Sequence, residues 1–359
     1  MVVLVSGLIL SGCAKPAPAP APGPPPGPPP GPPPSPAPHE PYEIQIWGPP
    51  AGLQAYALAV GISELINKNS DWLKCTAIEG RNPPANAAKI ATDPYLFEHA
   101  LLRIPTGAQW ELMQGYFPPA RDIDYDWSQE RFLFFMGMVW NGMISVNPEI
   151  TTMADLKGEK VACGIWPPPG TFTDLVFAQM RAAGVDPDED VERQYLEYMD
   201  SHIALKDGLI DAALTGGMCK DAKKGEWLPD SFLIEVVDTT DTYFINWDAE
   251  TLRQQRKETG IPYLPLKMPP GNMTGQTEPW DVACSYMAWG TLGVPDDVVA
   301  EVLRIMADNA HLLREYSTFG EIINKDTLGM MGPDLKYYHP VALKFFEENG
   351  IPTGEFSFE

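Results

Sequence analysis

The strongest constraint on this chain is a unit it uses more than once: a short apolar strand, a turn rich in glycine and proline, then an amphipathic helix. In the stretch from Thr151 to Val185 (TTMADLKGEKVACGIWPPPGTFTDLVFAQMRAAGV), Lys160 to Ile165 reads as a strand carrying Val161, Ala162 and Ile165. Trp166 to Gly170 is the turn. Val176, Phe177, Met180 and Ala183 then share one face of a helix that Gly184 closes. Helices open with unpaired backbone N–H groups, so the start around Gly170, Thr171, Phe172, Thr173 and Asp174 suits an anion such as a carboxylate. Any α/β unit with a capped helix shows the same pattern, so the remainder of the chain has to decide.

The amino end speaks of location. Met1 to Leu10 is a short apolar run followed by Ser11, Gly12 and Cys13. Leu-Ser-Gly-Cys resembles a bacterial lipobox, which implies cleavage before Cys13 and a diacylglycerol on its thiol. Residues 1–13 are thus expected to be a lipoprotein signal. A truncated secretory signal or an apolar helix is the plainer alternative. No Lys or Arg precedes the apolar run, so the natural start is expected upstream. Ten apolar residues are too few to span a bilayer.

Residues 14–41 are almost wholly Pro, Ala and Gly. Such a segment has nothing to pack and samples extended polyproline II, reaching up to ~85 Å from an anchor. It is expected to be a disordered tether, with a docking site for a polyproline-reading partner as the other use.

The folded part is expected from Tyr42. Glu43 to Trp47 alternates as a strand, GPPAG (Gly48 to Gly52) turns the chain, and Leu53 to Asn67 is a helix with Leu58, Ile62, Leu65 and Ile66 as its buried stripe. Gln54 and Tyr56 lie in its first turn, on the loop side. Trp72 to Ile78 is a second strand, leading through EGRNPP (Glu79 to Pro84, with Arg81 and Asn82) into a helix that carries Asn86 and Ile90. Phe97 to Leu102, Met136 to Val146, Tyr195 to Met199, Leu209 to Leu214, Ser231 to Val237 and Val282 to Met287 read as further strands. Helices are expected over Asp296 to Leu313 and Pro340 to Asn349.

Composition limits partners. With 359 residues, 44% of them hydrophobic, the chain can bury a large core and is expected to fold as two domains. A formal net charge of −23 argues against a phosphate backbone as partner, since phosphates need a basic face; nucleic acid is not expected.

Taken in order, GPPAGLQAY, EGRNPPAN, DLKGEKVACG, ALKDGLIDAAL, GNMTGQTEPWDVACSYMAWGTL with PDDVVAEVLRIMADN, and YYHPVALKFFEENGI resemble the substrate-binding proteins of TRAP transporters of the TAXI type. The resemblance runs from Tyr42 to the end. It departs from the family pattern in the second loop, where Glu79, Arg81 and two prolines stand in place of small residues. The resemblance implies a two-lobed α/β fold of the second periplasmic-binding-protein type, each lobe a mixed sheet flanked by helices. Residues 42–145 plus 244–359 would form lobe 1 and 146–243 lobe 2, joined by a hinge. It also implies capture of a small organic anion, a carboxylate of the glutamate or 2-oxoglutarate kind, for delivery to the membrane subunits of a TRAP permease. The protein would work outside the cytoplasm, on the periplasmic side or at the cell surface, held to the membrane by lipid.

The residues agree with that chemistry. Amides near Gly52, Asn86 and Thr171 can satisfy a carboxylate, and Arg81 is the one Arg in these loops, with Asn82 beside it. Surface pairing with Glu79 is the alternative for Arg81, and helix capping the alternative for Asn86. Trp166 and Phe172 can line an apolar wall or pack between lobes. Trp140 and Asn141 can line the cleft or belong to the hinge core, and the second is expected.

Catalytic patterns are weak. The five histidines are scattered, with no partner at metal-ligand spacing, and neither a nucleophile elbow nor a phosphate loop occurs. No enzyme, cofactor or metal is expected. His339, just before Pro340, reads as a helix cap. Cys75, Cys163 and Cys284 fall in apolar runs, where a buried thiol is the commoner fate. A receptor of the same fold that presents its solute to a membrane sensor is the alternative function.

Overall fold

A computed structural model of the protein describes residues 39–164, 171–221 and 224–354, with backbone alone at 171, 172 and 174. The proposed signal with Cys13, nearly all of the tether, and the turn bearing Trp166 and Gly170 lie outside the described residues. Glu40 onward forms one compact unit.

The strands are β1 (Tyr42–Gly48), β2 (Leu73–Glu79), β3 (Ala100–Pro105), β4 (Arg131–Ser145), β5 (Lys160–Ala162), β6 (Glu192–Gln194), β7 (Ala212–Asp221), β8 (Glu226–Pro229), β9 (Tyr243–Ile245), β10 (Leu264–Met268) and β11 (Trp280–Thr291). The α-helices are α1 (Gln54–Asn69), α2 (Pro83–Ala91), α3 (Pro94–His99), α4 (Thr106–Met113), α5 (Thr171–Ala182), α6 (Tyr198–Lys206), α7 (Ser231–Thr239), α8 (Ala249–Thr259), α9 (Asp296–Asn309) and α10 (Pro340–Asn349). The architecture is α/β, as expected: a mixed sheet flanked by helices.

One sheet path runs β2-β1-β3-β11-β4-β7-β5-β6, with β10 on β11, β8 on β7 and β9 on β4. Its spine is β4, buried along almost its whole length because FLFFMGMVW has helices or strands on every side. Arg131 to Asn141 of β4 pairs with β11, and Met138 to Ser145 pairs with β7. The strand thus passes from one half of the sheet to the other around residues 138–141.

The apolar stripe of α1 is buried as its spacing demands: Leu58, Ile62 and Ile66 are fully enclosed. On α9, Val299, Val302, Leu303 and Met306 pack in the same core. Each such side chain contributes about 1.5–3 kcal/mol of transfer free energy. A second cluster joins Val161, Leu175, Val176 and Met180 to Trp247, Leu252 and Tyr263, so α8 docks on α5. Gln179 of α5 fastens the contact, donating to the carbonyl of Asp248 at 3.2 Å and accepting from its N–H at 2.7 Å.

Three expected strands are corrected. Phe97 to His99 belongs to α3, because Asp93 caps that turn by accepting from the N–H groups of Tyr95 and Leu96, and β3 starts only at Ala100. Tyr198 and Met199 open α6, and the strand there is Glu192–Gln194. Ser231 to Val237 is helical. Its β-branched residues suggested a strand, but buried Leu233, Val236 and Val237 recur at helical spacing.

Candidate functional site

Strand directions create the site. Strands β1, β2 and β3 run parallel to one another, and β3 and β4 are both antiparallel to β11, so β4 runs with β3. Strand β7 is antiparallel to β4, and β5 and β6 run with β7. The carboxyl ends of β1–β3 therefore face those of β5 and β7 across the middle of β4. Loops that follow strands from both halves converge there, as ligand-binding loops do in open α/β sheets.

The first-half loops are knitted together. Asn86 is buried, and its side chain accepts from the N–H of Arg81 at 2.7 Å while donating to the carbonyls of Gly48 at 3.2 Å and Arg81 at 3.3 Å. Its amide is thus spent on holding the loops. Asn82 caps α2, accepting from Ala85 N–H at 3.0 Å. Gln54 is turned toward the hydroxyls of Ser317, at 3.2 Å, and Thr318. Tyr56 packs on Gly48, where a β-carbon would come within 3.1 Å of its ring. Gly52 has φ +95°, a conformation that favours glycine, and a β-carbon there would lie 3.8 Å from the Met199 thioether. Arg81 is exposed, and among the described residues its guanidinium has no bonded partner; Glu79 instead accepts from Ala51 N–H at 2.8 Å. In the other half, Thr173 is buried and donates to the carbonyl of Cys163 at 2.7 Å.

Deeper in the crevice lies a polar cluster on β4, β7, α6 and the start of α7. A β-carbon on Gly216 would stand 3.2 Å from both Asn141 Oδ1 and the Tyr198 hydroxyl, and 2.5 Å from the Trp140 carbonyl. Only glycine permits that close approach. The Asn141 Nδ2 is buried with no hydrogen-bond partner among the described residues, and the buried Tyr198 hydroxyl lies near the Thr215 hydroxyl without a hydrogen bond of ordinary geometry. His202 braces the cluster, one ring nitrogen 2.8 Å from the Tyr198 carbonyl and the other 2.9 Å from the Thr215 hydroxyl. Asp230 joins it through its N–H, which donates to Gly216 at 3.1 Å.

In the first half, Arg103 lies near the carboxyl end of β3 and is coupled by charge to Asp230. Arg103 and Asp230 are each half-buried, and each feels the other's charge. Neither side chain makes a hydrogen bond or ion pair among the described residues. Burial lowers Arg103 to about 10 against the opposing pull of Asp230, and raises Asp230 to about 7 despite Arg103. Burial, then the charge of Asp230, pushes the Tyr198 phenol well up. Burial lowers His202.

A family model described as NMT1-like matches residues 126–350. The chain belongs to the NMT1-like family. The match takes in Asn141, Tyr198, His202, Thr215, Gly216 and Asp230, while Arg103 lies before it. No curated protein matches this NMT1-like chain. Among solved structures it is similar to the alkanesulfonate-binding protein SsuA from Xanthomonas axonopodis pv. citri bound to MOPS, at 15% identity and a TM-score of 0.34, covering 54% of this chain and 62% of that one. MatC from Rhodopseudomonas palustris with bound malate is similar at 13% identity and a TM-score of 0.46, covering 86% and 96%. A TRAP periplasmic solute-binding protein from a Sulfitobacter species with bound β-D-galacturonate is similar at 10% and 0.41, covering 88% and 89%. The chain thus spans less than two thirds of the first of these. Scores this low leave ligand and residue roles to be argued from the site itself.

The other chemistry-bearing residues of this NMT1-like protein serve structure. Cys75, Cys163, Cys219 and Cys284 are free, buried thiols. His339 caps α10, accepting from Val341 N–H at 3.3 Å, as its position before Pro340 indicates. Among the described residues no three His, Cys, Asp or Glu side chains gather as metal ligands, and no helix is long and apolar enough to cross a membrane. Trp140 is core, as read from sequence, with its indole N–H donating to Met218 at 3.2 Å. Sequence reading missed Arg103, Tyr198 and Asp230. The one available signal was a lone charge in the apolar run LLRIP.

Proposed function

We propose that this protein is a lipid-anchored, extracytoplasmic solute-binding protein of the TAXI type, which takes a small organic anion into the crevice and delivers it to a TRAP permease. Lobe 1 (42–145 and 244–359, with α8 docked on α5) and lobe 2 (146–243) would close about β4 and β11 by population shift between open and closed states. Arg103 carries the reading. A half-buried guanidinium with no hydrogen bond or ion pair among the described residues, on the strand that leads to these loops, supports a carboxylate as its partner. Asn141 and Tyr198 offer buried polar groups in the other half of the sheet, packed against Gly216. Gly52, Arg81 and the amino end of α5 would form the outer wall.

The test is a thermal-shift screen against carboxylates, sulfonates and amino acids, followed by calorimetry on Arg103→Gln. A ligand at a hundred times its Kd adds about 2.7 kcal/mol, an easily read shift. A carboxylate hit that Arg103→Gln weakens supports the reading. A hit whose affinity survives in a folded Arg103→Gln protein removes Arg103 from the site.

A further inference from the structure

A cavity of about 190 Å³ lies between α4, the carboxyl end of α8 and the middle of β11. Helix α4 gives it Gln109 and Trp110, α8 gives Arg256, β4 Phe132, β11 Tyr286, and the segment before α10 gives Tyr337. It takes no residue from the crevice cluster of Asn141, Tyr198 and Gly216. Asn141 pairs with Ala283 of β11, and Tyr286 stands three residues further along that strand. Side chains alternate along a strand, so Tyr286 and Asn141 leave opposite faces of the sheet.

Four aromatic rings line the cavity, those of Trp110, Phe132, Tyr286 and Tyr337. An apolar cavity of about 150 Å³ is enough for benzene, so this one takes a single ring with small substituents. Gln109 is 3% exposed and marks the floor. Its Nε2 donates to the Glu130 carbonyl at 3.4 Å, while its Oε1 accepts no hydrogen bond among the described residues. Arg256 is exposed and marks the mouth, with no ion pair or hydrogen bond among the described residues. Lys336 adds a second cation nearby, its Nζ 4.7 Å from the centre of the Tyr337 ring. Asp334, also exposed, is the one acid in the lining and forms no ion pair with Arg256. It leaves room for one negative charge rather than two. We infer that this cavity is a second binding site, for an aromatic monocarboxylate with a hydroxyl on its ring. The ring lies among the four aromatic side chains, the hydroxyl donates to Gln109 Oε1, and the carboxylate pairs with Arg256.

The site is independent of the crevice, and the test keeps the two apart. The full chain and its Arg256→Gln, Gln109→Leu and Arg103→Gln variants, checked for fold by circular dichroism, are titrated by calorimetry with 4-hydroxybenzoate, benzoate and phenol. The unaltered protein is expected to bind 4-hydroxybenzoate about tenfold tighter than benzoate or phenol. Arg256→Gln, at an exposed position, should weaken both carboxylates about tenfold and leave phenol unchanged. Gln109→Leu should bring 4-hydroxybenzoate down to the level of benzoate and leave benzoate as it was, a pattern that a loosened fold would not give. Should Gln109→Leu fail to fold, the Arg256→Gln comparison decides alone. Arg103→Gln should change none of these affinities. No binding at millimolar concentration, or affinities that Arg256→Gln leaves untouched, overturns the site. Binding lost in Arg103→Gln and kept in Arg256→Gln would move these molecules to the crevice, which overturns the second site and favours the first.

Discussion

The Glu79 carboxylate accepts a hydrogen bond from the backbone N–H of Ala51 at 2.8 Å, bridging the loops that follow β2 and β1. One of the amides that a glycine turn offers to an anion is thus already answered by the protein. Replacing Glu79 with Ala should lower the melting temperature by about 1–2 °C and leave solute affinity within twofold. If the solute used this amide, the same change would tighten binding by freeing it. Calorimetry on the variant distinguishes the two by sign.

Asn86 joins those loops from within. Its side chain satisfies an N–H and two carbonyls in a buried setting, so Asn86→Ala orphans groups that water cannot reach. A loss of about 2–3 kcal/mol is expected in urea denaturation. A loss under 1 kcal/mol would show that the loops rearrange around the gap.

The strand, glycine turn and helix units were legible because each is a local pattern. The stripe of α1 and the Gly350 stop of α10, at φ +64°, need nothing beyond their own residues. Ser231–Thr239 was misread because β-branched residues raise strand propensity, and only burial of one face shows the helix. The loops were found, but the functions assigned to their polar residues were harder to read. Asn82 and Asn86 face their own backbone in the structure. Arg103, Tyr198 and Asp230 lie far apart in sequence and come within reach of one another's charge only because β4 hands one half of the sheet to the other. No local pattern encodes that meeting.

Stability should depend on pH through Glu130. It is 1% exposed, and burial raises its carboxyl to about 8 from the ordinary 4.5. Below 4.5 the folded and unfolded chains both hold the proton, and its full contribution is present. Between 4.5 and 8 only the unfolded chain releases it, so stability falls as pH rises, then levels off. Asp230, raised to about 7, acts in the same direction. Denaturation from pH 4.5 to 9 should show Glu130→Gln overtaking the unaltered protein as pH rises, with a flatter profile. Parallel profiles would mean that Glu130 finds a partner for its charge.

Tyr198 offers a test in which two readouts move oppositely. Its hydroxyl is buried and makes no hydrogen bond of ordinary geometry among the described residues, its neighbour being a Thr215 hydroxyl that is bonded to His202. A buried hydroxyl with nothing to bond carries a desolvation cost of about 1–3 kcal/mol. Tyr198→Phe removes that cost while keeping the ring, so the empty protein should melt higher. If the hydroxyl contacts the solute, the same change should weaken binding roughly tenfold, because the lost bond is made only in the complex. A rise in melting temperature with unchanged affinity would assign Tyr198 to packing alone. A fall in melting temperature would mean that the hydroxyl already has a bonded partner in the empty protein.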